Sequence, residues 1–167
     1  NIGLSRAPYW GGFTNTFTYK NWELYLHTTY SLDYKVYNSV LAEYTSGTSW
    51  TSSNLHKVPS GLKIWEKTGD KADIPMVNAD PAFVQELNSE TSFCYTDASH
   101  LRISNIRLTY NFPQQWMKKI CVQSAALSFS CDNVYTFASK YFAGMDPENV
   151  GGWAAPRRFI FGLNVTF

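Results

Sequence analysis

Few side chains in this sequence of 167 residues have the types and spacing that catalysis or metal binding requires. The serines are numerous, yet none lies in the Gly-x-Ser-x-Gly pattern of a nucleophile elbow. Asp70, Asp73 and Asp97 could hold calcium in a surface loop, but they lack the dense oxygen spacing of a calcium loop. The histidines lie far apart, without carboxylates at ligand spacing; they are His27, His56 and His100. We therefore predict no catalytic residue, no metal and no cofactor, and hence no enzyme.

Aromatic side chains in loops are a second class of candidate, because aromatic residues make up 17% of the chain and charged residues only 16%. Aromatic rings stack on sugars and anchor protein interfaces. We therefore predict contacts with a substrate or a partner protein for Trp50, Trp65, Tyr141 and Trp153. The alternative, equally well supported by composition, is that these rings pack the loops onto one another.

The elements that must position these loops are amphipathic β-strands, and the clearest of them covers residues 157–167. Alternate residues of this stretch are apolar: Phe159, Phe161, Leu163, Val165 and Phe167. Strict alternation of this kind is typical of a strand with one apolar face. Such a face needs an apolar neighbour, which is either a packed core or lipid.

Similar alternation predicts further strands near residues 10–19, 22–34, 100–112 and 120–136. In the third of these the apolar phase slips at Ser104 and Asn105, where a β-bulge would absorb the extra residue. The side chains predicted to face lipid are Leu24, Leu26, Phe159, Phe161, Leu163 and Val165. Those predicted to face an aqueous lumen are Glu23, Tyr25, His27, Arg102 and Arg107.

The connections between these strands alternate between short and long. Short turns are predicted at 20–21 and 113–119, and long loops at 36–98 and 138–156. Outer-membrane barrels have short periplasmic turns and longer extracellular loops, whereas a soluble sandwich has no reason to alternate. We therefore predict an all-β, antiparallel transmembrane barrel segment. The alternative is a secreted β-sandwich that binds glycans through exposed aromatic residues.

Bulk properties exclude several other classes of protein. The net charge of +1 argues against nucleic acid as a partner, since a nucleic-acid-binding surface normally carries a concentrated excess of basic residues. Three cysteines without paired spacing argue against a disulfide framework. No run of 18 apolar residues is present, so no transmembrane helix is expected. The chain starts at Asn1 in a loop-like stretch without a Met, and we expect its natural N-terminus to be missing.

Six stretches resemble the C-terminal barrel region of the SusC/RagA family of TonB-dependent outer-membrane transporters from Bacteroidetes. They are residues 11–21 (GGFTNTFTYKN), 33–38 (DYKVYN), 65–75 (WEKTGDKADIP), 97–106 (DASHLRISNI), 144–148 (GMDPE) and 156–167 (PRRFIFGLNVTF). Any one of these matches is weak, but together they occur in order over nearly the whole chain. The Ser/Thr-rich stretch around Trp50 has no counterpart in the family pattern.

The resemblance implies about five strands of a 22-stranded barrel with a plugged lumen, with the plug domain absent from this chain. It also implies import of oligosaccharides or peptides across a Gram-negative outer membrane, energised through TonB, with a SusD-like surface lipoprotein as partner. The rest of the same transporter and membrane lipid would be further partners. By family analogy the C-terminus lies at the periplasmic rim, and Phe167 is the signal for barrel assembly.

Overall fold

The computed structural model of the chain describes residues 2–45, 61–76, 82 and 91–167. These residues form mostly antiparallel β-sheet with a few short helices, so the all-β prediction is confirmed. Within the described ranges the sheets are open, and no closed barrel is formed. No helix among them is both long and apolar enough to cross a membrane.

The chain divides into two compact units. The loop unit comprises Asn1–Tyr9, Leu32–His100 and Ala138–Ala154, and the sheet unit comprises Trp10–Ser31, Leu101–Phe137 and Ala155–Phe167. The strands are β1 (Tyr9–Tyr19), β2 (Trp22–Leu32), β3 (Lys35–Tyr37), β4 (Tyr95–Asp97), β5 (His100–Asn111), β6 (Ser124–Ala138) and β7 (Arg158–Thr166). The helices are α1 (Ser39–Thr45) and α2 (Gln114–Met117), with 3-10 turns at Lys118–Ile120 and Lys140–Phe142.

The main sheet has five strands in the order β1-β2-β5-β6-β7. In the antiparallel pair β6–β7, Leu127 lies opposite Leu163 and Phe129 opposite Phe161. At the alternate positions the paired residues are small or polar, including Asp132 with Arg158, except for Ile160 opposite Ser130. Because successive side chains of a strand point to opposite faces, this register gives the sheet one apolar and one polar face.

The side-chain contacts of β5 require the bulge that the sequence predicts near Ser104. The Ser104 hydroxyl is 3.0 Å from the Thr29 hydroxyl, and the Arg107 guanidinium lies 5.0 Å from the centre of the Tyr25 ring. Thr29 and Tyr25 share one face of β2, so Ser104 and Arg107 must lie on that same face. In a regular strand residues three apart face opposite ways, and one additional residue between them restores the common face.

The structure draws several element bounds differently from the sequence-based ranges. The strand predicted at 120–136 begins only at Ser124, because the preceding 3-10 turn ends at Cys121 in a left-handed conformation with φ 56°. The stretch predicted as a turn at 113–119 contains α2. The strand predicted to reach residue 34 ends at Leu32, since Asp33 has φ 62°. The stretch predicted as a loop at 36–98 contains most of β3, all of α1 and β4.

The loop unit has its own small core, built on Leu41, Leu62 and Ile74. Val40, Ile64, Phe93 and Tyr141 pack against it. Asn38 is fully buried and caps α1, because its side-chain oxygen accepts the Leu41 N–H at 3.0 Å. Its side-chain amide donates to the Tyr141 carbonyl at 3.3 Å, which fixes the 3-10 turn against the start of α1.

Candidate functional site

Polar side chains connect every neighbouring pair of strands across one face of the five-stranded sheet. These contacts leave hydrogen-bonding groups in an array compatible with water. The contacts are Thr14–His27 at 2.9 Å, Thr29–Ser104 at 3.0 Å, Asn105–Asp132 at 2.6 Å and Asp132–Arg158 at 3.0 Å.

This polar face contains the residues that the sequence assigns to a lumen. Tyr25, His27 and Arg107 are placed there by the contacts just described. Glu23 and Arg102 share the face by alternation along β2 and β5. The structure thus brings the predicted polar residues together on one surface, and their position beside a lumen remains a prediction.

The opposite face of the sheet is apolar and exposed. Phe161 and Leu163 are 78% and 69% exposed, although both lie in the middle of β7 rather than at a frayed end. The other side chains predicted to face lipid lie on this same face: Leu24, Leu26, Phe159 and Val165. Contiguous exposed apolar surface of this kind marks a contact with lipid or another protein. Contact with lipid, and the assembly role of the 89% exposed Phe167, remain predictions.

The four loop aromatics have different surroundings. Trp50, like His56, lies outside the described residues. Tyr141 packs against the core of the loop unit, as the packing alternative expects. Trp65 is half-buried beside a pocket, and Trp153 is 96% exposed. Of the described rings, Trp153 therefore has the most surface available to a partner.

The pocket beside Trp65 is an open depression of about 430 Å³ in the loop unit. Its lining is mainly apolar, with two carboxylates: Trp65, Asp70, Ala72, Asp73, Ile74, Pro75, Met76 and Phe93. The Asp70 carboxylate accepts the backbone N–H groups of Glu66 and Lys67. The Asp73 carboxylate accepts the backbone N–H of Lys63 and a hydrogen bond from the Lys140 ammonium group. Both carboxylates thus stabilise the conformation of the loop through hydrogen bonds. The sequence by itself indicates Asp70 and Asp73 only as candidate calcium ligands.

The pKa values in the loop unit follow these contacts. The hydrogen bond from Lys140 and that from the Lys63 backbone lower the pKa of Asp73. The same ion pair raises the pKa of Lys140 above its ordinary value. Burial raises the pKa of the Cys94 thiol to about 11, which keeps it protonated at neutral pH. Among the described residues, no three His, Cys, Asp or Glu side chains group in a way that could hold a metal ion.

Two of the stretches that resemble the transporter family, 97–106 and 144–148, are in contact at His100. The sequence by itself assigns no role to this buried histidine. His100 is 3% exposed, and its Nδ1 lies 3.0 Å from the Ala98 carbonyl oxygen. Its Nε2 lies 3.6 Å from Oε1 of Glu148, in the GMDPE stretch. Asp97 accepts hydrogen bonds from the backbone and hydroxyl of Ser99, which tightens the turn before His100. The two stretches, 97–106 and 144–148, lie far apart in the chain, and no local pattern in the sequence signals their contact.

Comparisons with known proteins give related sequences and related folds. Two TonB-dependent receptors of Formosa agariphila are 27% and 26% identical to 99% and 93% of this chain. The chain spans only 17% and 16% of their lengths. A scan against protein-family models finds no match.

Solved structures of the RagAB peptide importer share the fold. The chain matches the closed-closed state over 96% of its length with a TM-score of 0.70 and 21% identity. It matches the open-open state over 96% with a TM-score of 0.63 and 19% identity. In each case it covers 17% of the matched chain. The resemblance predicted from the sequence is confirmed: over nearly its whole length, the chain resembles part of a TonB-dependent transporter of the SusC/RagA type.

Proposed function

We propose that this chain is part of an outer-membrane, TonB-dependent nutrient importer of the SusC type. It supplies five strands of the barrel wall and the surface loops that connect them. The observation that carries this proposal is the pair of contrasting sheet faces. One is apolar and exposed at the centre of β7, and the other is bridged by polar side chains from β1 to β7.

A bilayer accounts for both faces. Lipid tails cover the apolar face without the shape-specific packing of a protein core, and a hydrated lumen suits the polar face. The free edges of β1 and β7 then need further strands, because unpaired backbone groups are costly in hydrocarbon. In this proposal the rest of a 22-stranded barrel provides those strands and closes the wall, and a plug fills the lumen.

The arrangement of connections supports an orientation in the membrane. The short connections at 20–21 and 112–123 would face the periplasm, as would Phe167. The long loops predicted at 36–98 and 138–156 would be extracellular, with Trp65 and Trp153 as the candidates for contact with substrate or with a SusD-like lipoprotein. The matched structures are of a peptide importer, which favours peptides as the cargo, with oligosaccharides as the other candidate. TonB would supply the energy, and the chain itself would perform no catalysis.

Native gel electrophoresis of detergent-solubilised membranes, with a denaturing second dimension and mass spectrometry, tests this proposal. We expect the sequence to be recovered from the membrane fraction, in a complex that contains the rest of the barrel and a lipoprotein. Recovery of the chain alone, soluble without detergent, would refute it.

The secreted glycan-binding β-sandwich is the competing function. It requires the apolar face of β7 to be buried in a dry core within the protein. The high exposure of Phe161 and Leu163 argues against this, since core residues of that size are normally buried.

A further inference from the structure

One end of the sheet unit combines aromatic and basic side chains. We call it the short-connection rim, and define it as residues 19–22 and 110–120. The two connections are held side by side, because the Asn111 N–H donates to the Asn21 carbonyl at 2.8 Å. The Asn21 side-chain amide in turn donates to the Asn111 carbonyl at 2.7 Å. The rim is therefore a continuous surface rather than two independent turns.

The aromatic part of the rim continues the apolar face of the sheet. The rings of Trp22 and Tyr110 lie 4.7 Å apart, and those of Tyr110 and Phe112 lie 5.2 Å apart. Trp22 shares its side of β2 with Leu24 and is itself exposed. Tryptophan and tyrosine favour the boundary between acyl chains and headgroups, because their rings are apolar and carry one polar group.

The helical segment from α2 into the following 3-10 turn adds both apolar and basic groups. Met117 is buried and anchors the segment, while Trp116 and Ile120 are 54% and 62% exposed. Lys118 and Lys119 lie between them and are also exposed. The sequence predicts only a turn at 113–119. In the structure a short helix forms there, and it places Met117 on a buried side and Trp116 on an exposed side.

The charge of the rim has a single sign. The cations of the rim are Lys20, Lys118 and Lys119. The Lys20 ammonium group lies 5.4 Å from the centre of the Tyr19 ring. The stretches 16–22 and 108–128 contain no Asp or Glu, and Glu23 falls on the polar face of β2. Three lysines beside exposed aromatics thus face the level at which phospholipid headgroups would lie.

We propose that the short-connection rim binds anionic phospholipid headgroups, with its aromatic rings at the boundary of the acyl chains. This inference rests on the proposed function, since only insertion of the sheet in a bilayer brings headgroups to this level. The continuity of Trp22, Tyr110 and Phe112 with the apolar face favours lipid over an acidic protein partner. A lysine near an anionic surface strengthens binding about fivefold.

The test uses the full-length transporter that contains this sequence, purified in detergent and titrated with lipid under native mass spectrometry. The probes are phosphatidylglycerol, which is anionic, and phosphatidylethanolamine, which is zwitterionic. The rim variant is Lys20→Gln/Lys118→Gln/Lys119→Gln. The matched control is Lys63→Gln/Lys67→Gln/Lys71→Gln, which removes the same charge from exposed positions of the loop unit.

We expect the rim variant to bind phosphatidylglycerol at least about fivefold more weakly, with phosphatidylethanolamine unchanged. The control should bind both lipids like the unmodified protein. The inference is wrong if the rim variant binds phosphatidylglycerol as tightly as the unmodified protein, or if the control loses as much binding as the rim variant. Neither result contradicts the proposed importer function. Recovery of the protein in the soluble fraction overturns the proposed function and this inference together.

A second measurement does not depend on the lysines. The fluorescence of Trp116 is obtained by subtracting the signal of Trp116→Phe from that of the unmodified protein. Lipids brominated near the headgroup should quench this difference signal. A difference signal that these lipids leave unquenched would place the rim outside the bilayer and overturn the inference. Quenching of the difference signal would place Trp116 at the level of the headgroups, as the inference requires.

Discussion

Substitution of Leu163 by arginine tests whether the apolar face of the sheet contacts lipid. Leu163 lies opposite Leu127 in the β6–β7 register and is 69% exposed, so few protein contacts are lost. Any large effect must then come from what surrounds the face. Burying a charge in hydrocarbon is costly, whereas placing it in water is not.

The position of Leu163 sets the expected magnitude. It lies three residues from the end of β7 at Thr166, or about 10 Å along the strand. With a tilt of about 45° this is roughly 7 Å of depth, a little over half of the way to the middle of an apolar band about 25 Å tall. Arginine costs about 2–4 kcal/mol at the midplane and about 0–1 near the interface. We therefore expect Leu163→Arg to lower the free energy of unfolding by about 2 kcal/mol.

The assay is guanidinium unfolding of the full-length protein in phospholipid vesicles, followed by tryptophan fluorescence. Asn164→Arg is the matched control, because it adds the same side chain one residue away on the polar face, opposite Ala126. Its effect should stay within about 0.5 kcal/mol. Leu163→Trp should also be tolerated, since lipid accommodates a larger apolar side chain.

Two outcomes would refute this reasoning. An unchanged stability of Leu163→Arg would mean that the face is in contact with water. A loss of about 1–3 kcal/mol in Leu163→Trp would indicate overpacking of a close-packed core, and would favour the β-sandwich.

Three further predictions concern side chains of the loop unit, the third by comparison with Cys121 of the sheet unit. Asn38→Ala should raise amide exchange in the first turn of α1 about fivefold, because removal of a helix cap costs about 1 kcal/mol; Asn38→Ser, which retains a capping oxygen without burying a charge, should restore part of the protection. The Asp73–Lys140 ion pair lowers the pKa of Asp73 below its ordinary value of 3.8 and raises the pKa of Lys140 above its ordinary value of 10.5. The pair should therefore remain charged on both sides over the whole pH range between these two ordinary values. Hydrogen exchange around the pair, corrected for its intrinsic pH dependence, should stay level across that window and rise in Asp73→Asn. Maleimide at pH 7 should label the exposed Cys121 and leave Cys94 unmodified, since Cys94 is fully buried and its pKa is raised to about 11.

Each of these has a result that would contradict it. An Asn38→Ser variant no better protected than Asn38→Ala would mean that the hydrogen bond donated to the Tyr141 carbonyl, rather than the cap, holds α1. The sign for the ion pair is also fixed: its contribution is lost as the pH falls through the lowered pKa of Asp73, and again as the pH rises through the raised pKa of Lys140. Loss of protection at pH 6 would therefore contradict the assignment. Rapid labelling of Cys94 in the folded protein would show that the loop unit opens.

The strand faces could be predicted from the sequence because they depend on local geometry alone. Side chains alternate in any strand, so Phe161 and Leu163 share a face whatever the rest of the chain does. The same logic placed Tyr25, His27 and Arg107 together and located the slip near Ser104, since a bulge leaves a local change of phase. The resemblance to TonB-dependent transporters was likewise present in short ordered motifs.

The loop unit was largely hidden from the sequence because its contacts join distant segments. The sequence gives no sign that Asn38 would cap α1 and also hold the turn containing Tyr141, 103 residues later. Nor could it predict that His100 would meet Glu148. The helical segment at 114–120 was missed because four to seven residues are too few for periodicity to separate a helix from a turn.

The sequence by itself determined which residues alternate and therefore which share a face of each strand. Only the tertiary structure decided which strands are neighbours, which polar groups bridge them, and which carboxylates are occupied by backbone N–H groups. The physical reason is that alternation is a property of the backbone within one strand, fixed over distances of a few residues. Strand order, capping and burial depend on contacts between segments far apart in the chain. Their free energy depends on the whole arrangement, and no local pattern records it.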